Sequence, residues 1–161
     1  MMKLYYSPGA CALSPQIALR EAGLNFDMVR VDLKEHKLFD TKSDYYAINP
    51  KGAVPALELD NGKILTEGPA IVQYIADQVP QKNLAPANGT LDRTKLQEFL
   101  NYITSELHKG IGGLFNPAMP EEFREVTRAM VQKKYAYIDN VLSKSPYLMG
   151  NDYSIADSYL Y

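Results

Sequence analysis

Apolar positions along the first 80 residues change their period several times, and each change marks an element. Lys3 to Tyr6 is a short run ending at Ser7-Pro8-Gly9, so it reads as a strand. Leu13, Ile17, Ala18 and Glu21-Ala22 then follow helical spacing. Pro15 falls in the first turn, where its missing N–H costs little, and Gly23 closes the helix. Phe26 to Val31 alternates and carries Val and Phe, which predicts a second strand. The order β-α-β is complete within about 30 residues, the length of a crossover unit.

Residues 34–52 are polar and punctuated by Asn49-Pro50-Lys51-Gly52, so they are expected to be mostly loop with one helical turn. Val54 to Leu59 is a third strand. Asp60-Asn61-Gly62-Lys63 supplies the residues of a tight hairpin, and Ile64-Leu65 begins the return strand. Thr66-Glu67-Gly68-Pro69 opens a helix whose apolar face is Ile71, Val72, Ile75 and Val79, and Pro80 ends it. Pro80 to Thr90 reads as a linker.

Helical periods dominate afterwards. Leu96, Phe99, Leu100, Ile103, Leu107 and Ile111 fall on one helix. Phe123, Val126, Met130, Ile138, Val141 and Leu142 fall on another, announced by Pro120-Glu121-Glu122. The predicted organisation is an α/β domain over 1–80 (βαβ then ββα, with a mixed sheet), a linker over 81–89 and an all-α bundle over 90–161. Ser154-Ile155-Ala156-Asp157 has the form of a capping box. An apolar helix face begins there and stops at Tyr161 without a C-cap, which reads as a short terminal helix or, preferably, as a truncated chain.

Composition narrows the function classes. Hydrophobic residues make up 46% and charged residues 22%, near globular averages. With 17 basic and 19 acidic residues the net charge is -2, so no excess of cations exists for a nucleic-acid backbone. One Cys excludes an intrachain disulfide and a multi-thiolate zinc site, and two His argue against a His-rich metal site, so no metal is expected. No stretch approaches the roughly 20 apolar residues of a membrane span, and the N-terminus is too short for a signal peptide. A soluble, cytoplasmic protein is expected, without a membrane partner.

Few residues are candidates for chemistry. Cys11 follows a strand and a turn at the start of a helix, where N–H groups and the dipole favour a thiolate of lowered pKa; the bland alternative is a small buried hydrophobe. It has no C-x-x-C partner. Val54-Pro55 opens a strand where proline removes a ladder donor. That fits an edge or a cis bond, and leaves the Val54 backbone to pair with an extended peptide. Glu67, at a helix N-terminus, is suited to a ligand ammonium or simply to the helix dipole. Asn101, Ser105 and His108 are spaced four and three apart, on one polar face shared with Thr94, Gln97 and Glu98. His36 and Lys37 lie in an apparently mobile loop, within reach of a carboxylate or merely solvated. Tyr6 ends the first strand near Cys11.

Taken together, these stretches resemble the cytosolic glutathione S-transferases, in particular the bacterial beta class. The resemblance rests on Lys3-Leu4-Tyr5-Tyr6-Ser7-Pro8-Gly9-Ala10-Cys11, Asn49-Pro50-Lys51-Gly52-Ala53-Val54-Pro55-Ala56-Leu57, Leu65-Thr66-Glu67-Gly68-Pro69-Ala70-Ile71, the Asn101 to Gly110 stretch and Ser154-Ile155-Ala156-Asp157. Pro-Gly-Ala-Cys and Glu-Leu-His-Lys-Gly are its beta-class signatures. The resemblance implies a thioredoxin-like domain, a helical domain and a homodimer that joins glutathione to a small electrophile or a disulfide substrate. It implies a cis Pro55, glutathione pairing with Val54, and its γ-glutamyl end held by Glu67 and Gly68. Cys11 would approach the glutathione sulfur, which Ser105 and His108 would face, while Asn101 would reach toward the neighbouring subunit's γ-glutamyl group. The electrophile pocket would include Leu107, Ile111, Leu114 and Phe115.

Two positions depart from the family. His36 stands where Lys commonly holds the glycyl carboxylate, so His36 or Lys37 takes that role. Gly68 stands where many members have Ser, which removes a hydroxyl contact. Full-length relatives also continue through further helices. The alternative function is a glutathione-fold protein that binds a partner without turnover.

Overall fold

The computed structural model describes residues 1–161 and divides into two compact units, 1–85 and 86–160. In the first unit, β1 (Met2–Tyr6), α1 (Leu13–Ala22) and β2 (Phe26–Asp32) form the expected crossover, with β1 and β2 parallel. β3 (Lys37–Leu38) follows, then β4 (Ala56–Glu58), β5 (Ile64–Thr66) and α2 (Gly68–Asp77). The mixed sheet has the order β3-β2-β1-β4-β5, with all pairs antiparallel except β1/β2. This is the thioredoxin-like arrangement.

Strand alternation buries both faces of the sheet. Leu4 opposite Leu57 is fully buried on the face covered by α1 and α2, which pack on each other. Tyr5, Val31 and Ala56 face the other way and meet Tyr45 and Val54 from the β3–β4 connection. Of the predicted face of α2, Ile71, Val72 and Ile75 are inaccessible to solvent, while Val79 is buried just beyond the helix, which ends at Asp77. Each such side chain contributes roughly 1.5–3 kcal/mol through burial. The Gly62 turn closes β4 to β5, its N–H donating to the Leu59 carbonyl at 2.8 Å.

Three local expectations are corrected. The 34–52 segment contains β3, two residues long and too short to show a period. On α1 the buried stripe is Ser14, Pro15, Ala18, Leu19 and Ala22, so Leu13 lies on the exposed side. Pro80 does not simply stop a helix; it opens a 3₁₀ turn over Pro80–Lys82.

The second unit comprises α3 (Leu91–Tyr102), a π-helical segment (Ile103–His108), α4 (Lys109–Gly112), a 3₁₀ turn (Gly113–Phe115), α5 (Glu121–Leu142) and α6 (Ile155–Leu160). The single helix expected through Ile111 is thus interrupted. The Thr104 hydroxyl donates to the Leu100 carbonyl at 2.8 Å and the Ser105 hydroxyl to the Asn101 carbonyl at 2.9 Å. Two consecutive hydroxyls compete there with the amides of the α ladder and favour the wider turn. On α5, Val131 and Ile138 are buried, whereas Phe123, Val126 and Met130 are more than half exposed. Of the expected apolar face Ile138 is buried, whereas its N-terminal part is not; α5 packs against the π segment, α4 and the 3₁₀ turn.

The capping box forms. Asp157 accepts from the Ser154 N–H (2.9 Å) and hydroxyl (3.0 Å), and the Ala156 N–H donates to Ser154 Oγ (3.3 Å). No helix is long and apolar enough to cross a membrane.

Candidate active site

The β1–α1 turn and the β3–β4 connection bring three of the expected residues of the first unit, Cys11, Val54 and Pro55, together. Cys11 lies one residue before the N-cap of α1, in a turn opened by Ser7-Pro8-Gly9. Its thiol donates to the Val54 carbonyl at 3.3 Å. The Val54–Pro55 peptide is cis. Tyr6 ends β1 half-buried.

The backbone before Val54 is fixed from beneath. The Tyr45 hydroxyl (2.9 Å) and Asn49 Nδ2 (2.8 Å) both donate to the Ala53 carbonyl, and both residues are buried. Neither residue stood out in the sequence; Asn49 was visible only as part of an Asn-Pro turn. The Val54 carbonyl has two lone pairs and spends one on a weak S–H donor, so an added strand can share or displace that bond at small cost.

The electrostatics of Cys11 correct the expectation of a lowered pKa. Burial pushes the thiol up, and the nearby Glu67 carboxylate raises it further; a backbone hydrogen bond opposes them and loses. The resting residue is a neutral thiol aimed at a carbonyl.

Glu67 occupies the N-cap position of α2 with φ 68° and ψ 113°, and its side chain does not cap the helix. Its carboxylate instead pairs with Lys51 at 2.6 Å, and Lys51 also donates to Thr66 Oγ1 at 3.0 Å. Lys51 is a site residue that sequence reasoning passed over, because lysine in an Asn-Pro-Lys-Gly turn looks merely solvated. Gly68 is the buried first residue of α2.

His36 ends the turn between β2 and β3, and Lys37 begins β3. Lys37 bridges to Asp44, and the His36 carbonyl accepts the Tyr45 N–H at 2.8 Å. The His36 ring stacks on Tyr46 with centroids 4.6 Å apart, and its buried Nδ1 has no hydrogen-bond partner. The stack closes over Gly52 (φ 65°), where a Cβ would come within 2.7 Å of Tyr46 Cε1 and 2.9 Å of His36 Nδ1. Gly52→Ala is therefore expected to cost about 2 kcal/mol, from left-handed backbone strain plus displacement of the stack. A urea midpoint equal to wild type would contradict this.

In the second unit, Asn101, Ser105 and His108 are all exposed, but they do not share one regular helix. Asn101 is the penultimate residue of α3, whereas Ser105 and His108 belong to the π segment. Thr104 bonds the Tyr159 hydroxyl of α6 (3.2 Å), and Glu106 pairs with Lys134 of α5 (2.7 Å), which holds the Glu106 carboxyl below its usual range. Leu107 is 2% exposed in the helical core and so is unavailable to line a pocket; Phe115, at 81%, is open.

Known proteins are similar to this chain in sequence and fold. The glutathione S-transferase N-terminal domain family matches residues 1–77. Glutathione S-transferase GstA of Escherichia coli O157:H7 is 48% identical over 160 residues, covering 99% of this chain and 79% of that protein. A sphingomonad glutathione S-transferase solved with glutathione superposes with a TM-score of 0.94 at 47% identity, covering 99% of this chain and 79% of that one. A beta-class enzyme from Sphingomonas chungbukensis gives a TM-score of 0.92 at 46% identity over 98% of this chain and 78% of its own. With a cis-proline turn beside a lone cysteine and relatives this close across the whole sequence, the chain belongs to the glutathione S-transferase family, in its bacterial beta class.

Proposed function

We propose that this protein is a glutathione transferase acting on small electrophiles, with glutathione-dependent disulfide exchange at Cys11 as a second activity. The observation that carries the reading is the Cys11 thiol at 3.3 Å from the Val54 carbonyl, beside cis Pro55, with the Glu67 carboxylate close enough to act on it. An extended tripeptide adds to the Val54 backbone as a strand and brings a sulfur to Cys11. Glu67 and Gly68 hold its γ-glutamyl end, His36 or Lys37 its glycyl carboxylate, and Tyr6 lines the cysteinyl site.

In conjugation, the glutathione thiolate forms a bond to carbon of the electrophile while the leaving group departs with its electron pair. From the helical unit, we assign His108 to proton transfer at the sulfur, Ser105 to a second hydrogen bond, and Asn101 to the γ-glutamyl group bound by a second copy in a homodimer. In exchange, the Cys11 thiolate attacks a glutathione mixed disulfide and releases the other thiolate. A second glutathione thiolate then attacks the Cys11–glutathione disulfide, releases oxidised glutathione and restores Cys11. The domain limits we assign are 1–80 and 90–161, joined by a linker over 81–89, and the compartment is the cytoplasm. No metal takes part in this scheme.

The test is turnover of an activated aryl halide with glutathione. Saturable conjugation is expected; retention on immobilised glutathione with no activity toward any electrophile or disulfide would instead indicate a binding module.

A further inference from the structure

We propose that the outer edge of β2, over residues 26–29, takes an extended acidic segment of a partner protein as an added antiparallel strand. The site lies beside the start of β1, at the end away from Cys11, and it stands independently of the glutathione reading.

Only one side of β2 is paired throughout. There β1 runs alongside from Phe26 to Arg30. On the other side β3 covers Val31 and Asp32, and one further bond runs from the Phe39 N–H to the Arg30 carbonyl at 2.8 Å. The chain then turns away, with the Lys42 N–H donating to the Leu38 carbonyl at 3.0 Å. The Arg30 carbonyl thus points to the outer edge. Backbone groups alternate along a strand, so the N–H and C=O of Phe26 and Met28 point the same way, and no strand meets them. An added strand continues the line that β3 abandons.

Side chains make this edge selective. Met28 stands opposite Leu4, hence on the face covered by α1, and Phe26 and Arg30 share that face. Between it and the end of α1 lies an open cavity of about 390 Å³, lined by Arg20, Leu24, Asn25, Phe26 and Met28, with no carboxylate in its wall. A strand docked here presents every second side chain to this face. The one opposite Met28 enters the cavity, and the one opposite Phe26 meets Arg20.

Cations flank the stretch. The Arg20 guanidinium sits 5.8 Å from the Phe26 ring centroid, and the Arg30 guanidinium sits 4.0 Å from that of Phe39. Both arginines are exposed, and each rests on a ring rather than a carboxylate. Lys42 lies over the same Phe39 ring at 4.7 Å and is answered by Asp32. Asp27 falls on the opposite face, beside Lys3. These charges select an acidic occupant. They also disfavour a second copy, because pairing two β2 edges sets arginines against arginines.

Fluorescence anisotropy of the intact protein with labelled Glu-Thr-Leu-Thr-Glu and Gln-Thr-Leu-Thr-Gln peptides tests this. The acidic peptide is expected to bind saturably, and more weakly as salt is added. Exchanging its Glu for Gln, or Arg20→Glu in the protein, should each weaken binding about tenfold, the effect of losing one charged contact. Met28→Pro removes an outward N–H, spares the β1 ladder and should abolish uptake. N-methylation of the peptide's leucine removes the matching donor from the ligand, and should abolish uptake by the unaltered protein whatever Met28→Pro does to folding. Absence of saturation at millimolar peptide, equal affinity for the two peptides, or full binding after N-methylation would overturn the proposal. So would a smaller assembly of Met28→Pro in sedimentation without peptide uptake by wild type, which would give the edge to a second copy. Arg20→Glu should leave glutathione conjugation unchanged, so failure of the peptide site and failure of the transferase reading are separate results.

Discussion

Cys11→Ala is expected to lower glutathione-dependent disulfide exchange at least about a hundredfold, because no other thiol in the chain can form the mixed disulfide. Conjugation continues in the same variant, since its nucleophile is the sulfur of glutathione. Parallel assays of both reactions decide the matter: exchange that survives the substitution removes Cys11 from the chemistry. The environment of Cys11 adds a pH dependence. Burial and the Glu67 charge raise its pKa, so the thiolate is a minor species at neutral pH and grows with every step toward alkali. Alkylation of Cys11 by iodoacetamide, without glutathione, should therefore accelerate about tenfold per pH unit from pH 7 to 9 without levelling. A plateau below pH 8 would mean a thiolate already formed, and the burial argument would fail.

The second large effect concerns stability. Asp157→Ala removes the acceptor for three donors: the Ser154 N–H and hydroxyl, and the Leu148 N–H at 2.9 Å. The last bond ties the start of α6 to the preceding loop across nine positions of sequence. Ser154, Ile155 and Ala156 are all buried, so the orphaned donors at Ser154 find water with difficulty. A loss of roughly 3 kcal/mol is expected, from a forfeited cap plus a charged hydrogen bond. Urea unfolding measures it, and a loss below about 1 kcal/mol would mean the box is ornamental.

What the sequence makes legible here is what short-range chemistry decides. The crossover of β1, α1 and β2, the Asp60–Lys63 hairpin, the apolar face of α2 and the Ser154–Asp157 box all follow from local spacing and turn residues. The place of Cys11 between β1 and α1 followed as well, whereas Val54, expected to open the third strand, lies in the bend before β4. Misreadings arose where distant neighbours decide. Phe123, Val126 and Met130 face solvent although they were expected on one apolar face with Ile138, which is buried; Val131, which that face left out, is buried beside Gly110 of α4. The Cys11 pKa was inferred from its own helix, yet the groups that set it, the protein around the sulfur and Glu67, arrive from elsewhere in the chain. Lys51 was hidden for a similar reason: its partner lies 16 residues ahead.

The wide turn at Ile103–His108 has a consequence for how this helix tolerates changes of length. Removing one residue from a uniform α-helix swings everything downstream by about 100° around the axis. Within a π turn, which already holds a surplus residue, the same deletion lets the coil rewind as ordinary helix with its two ends still in phase. Length can therefore vary at this one point while Leu96 and Leu100 upstream stay seated; a turn earlier, the same deletion would unscrew the core.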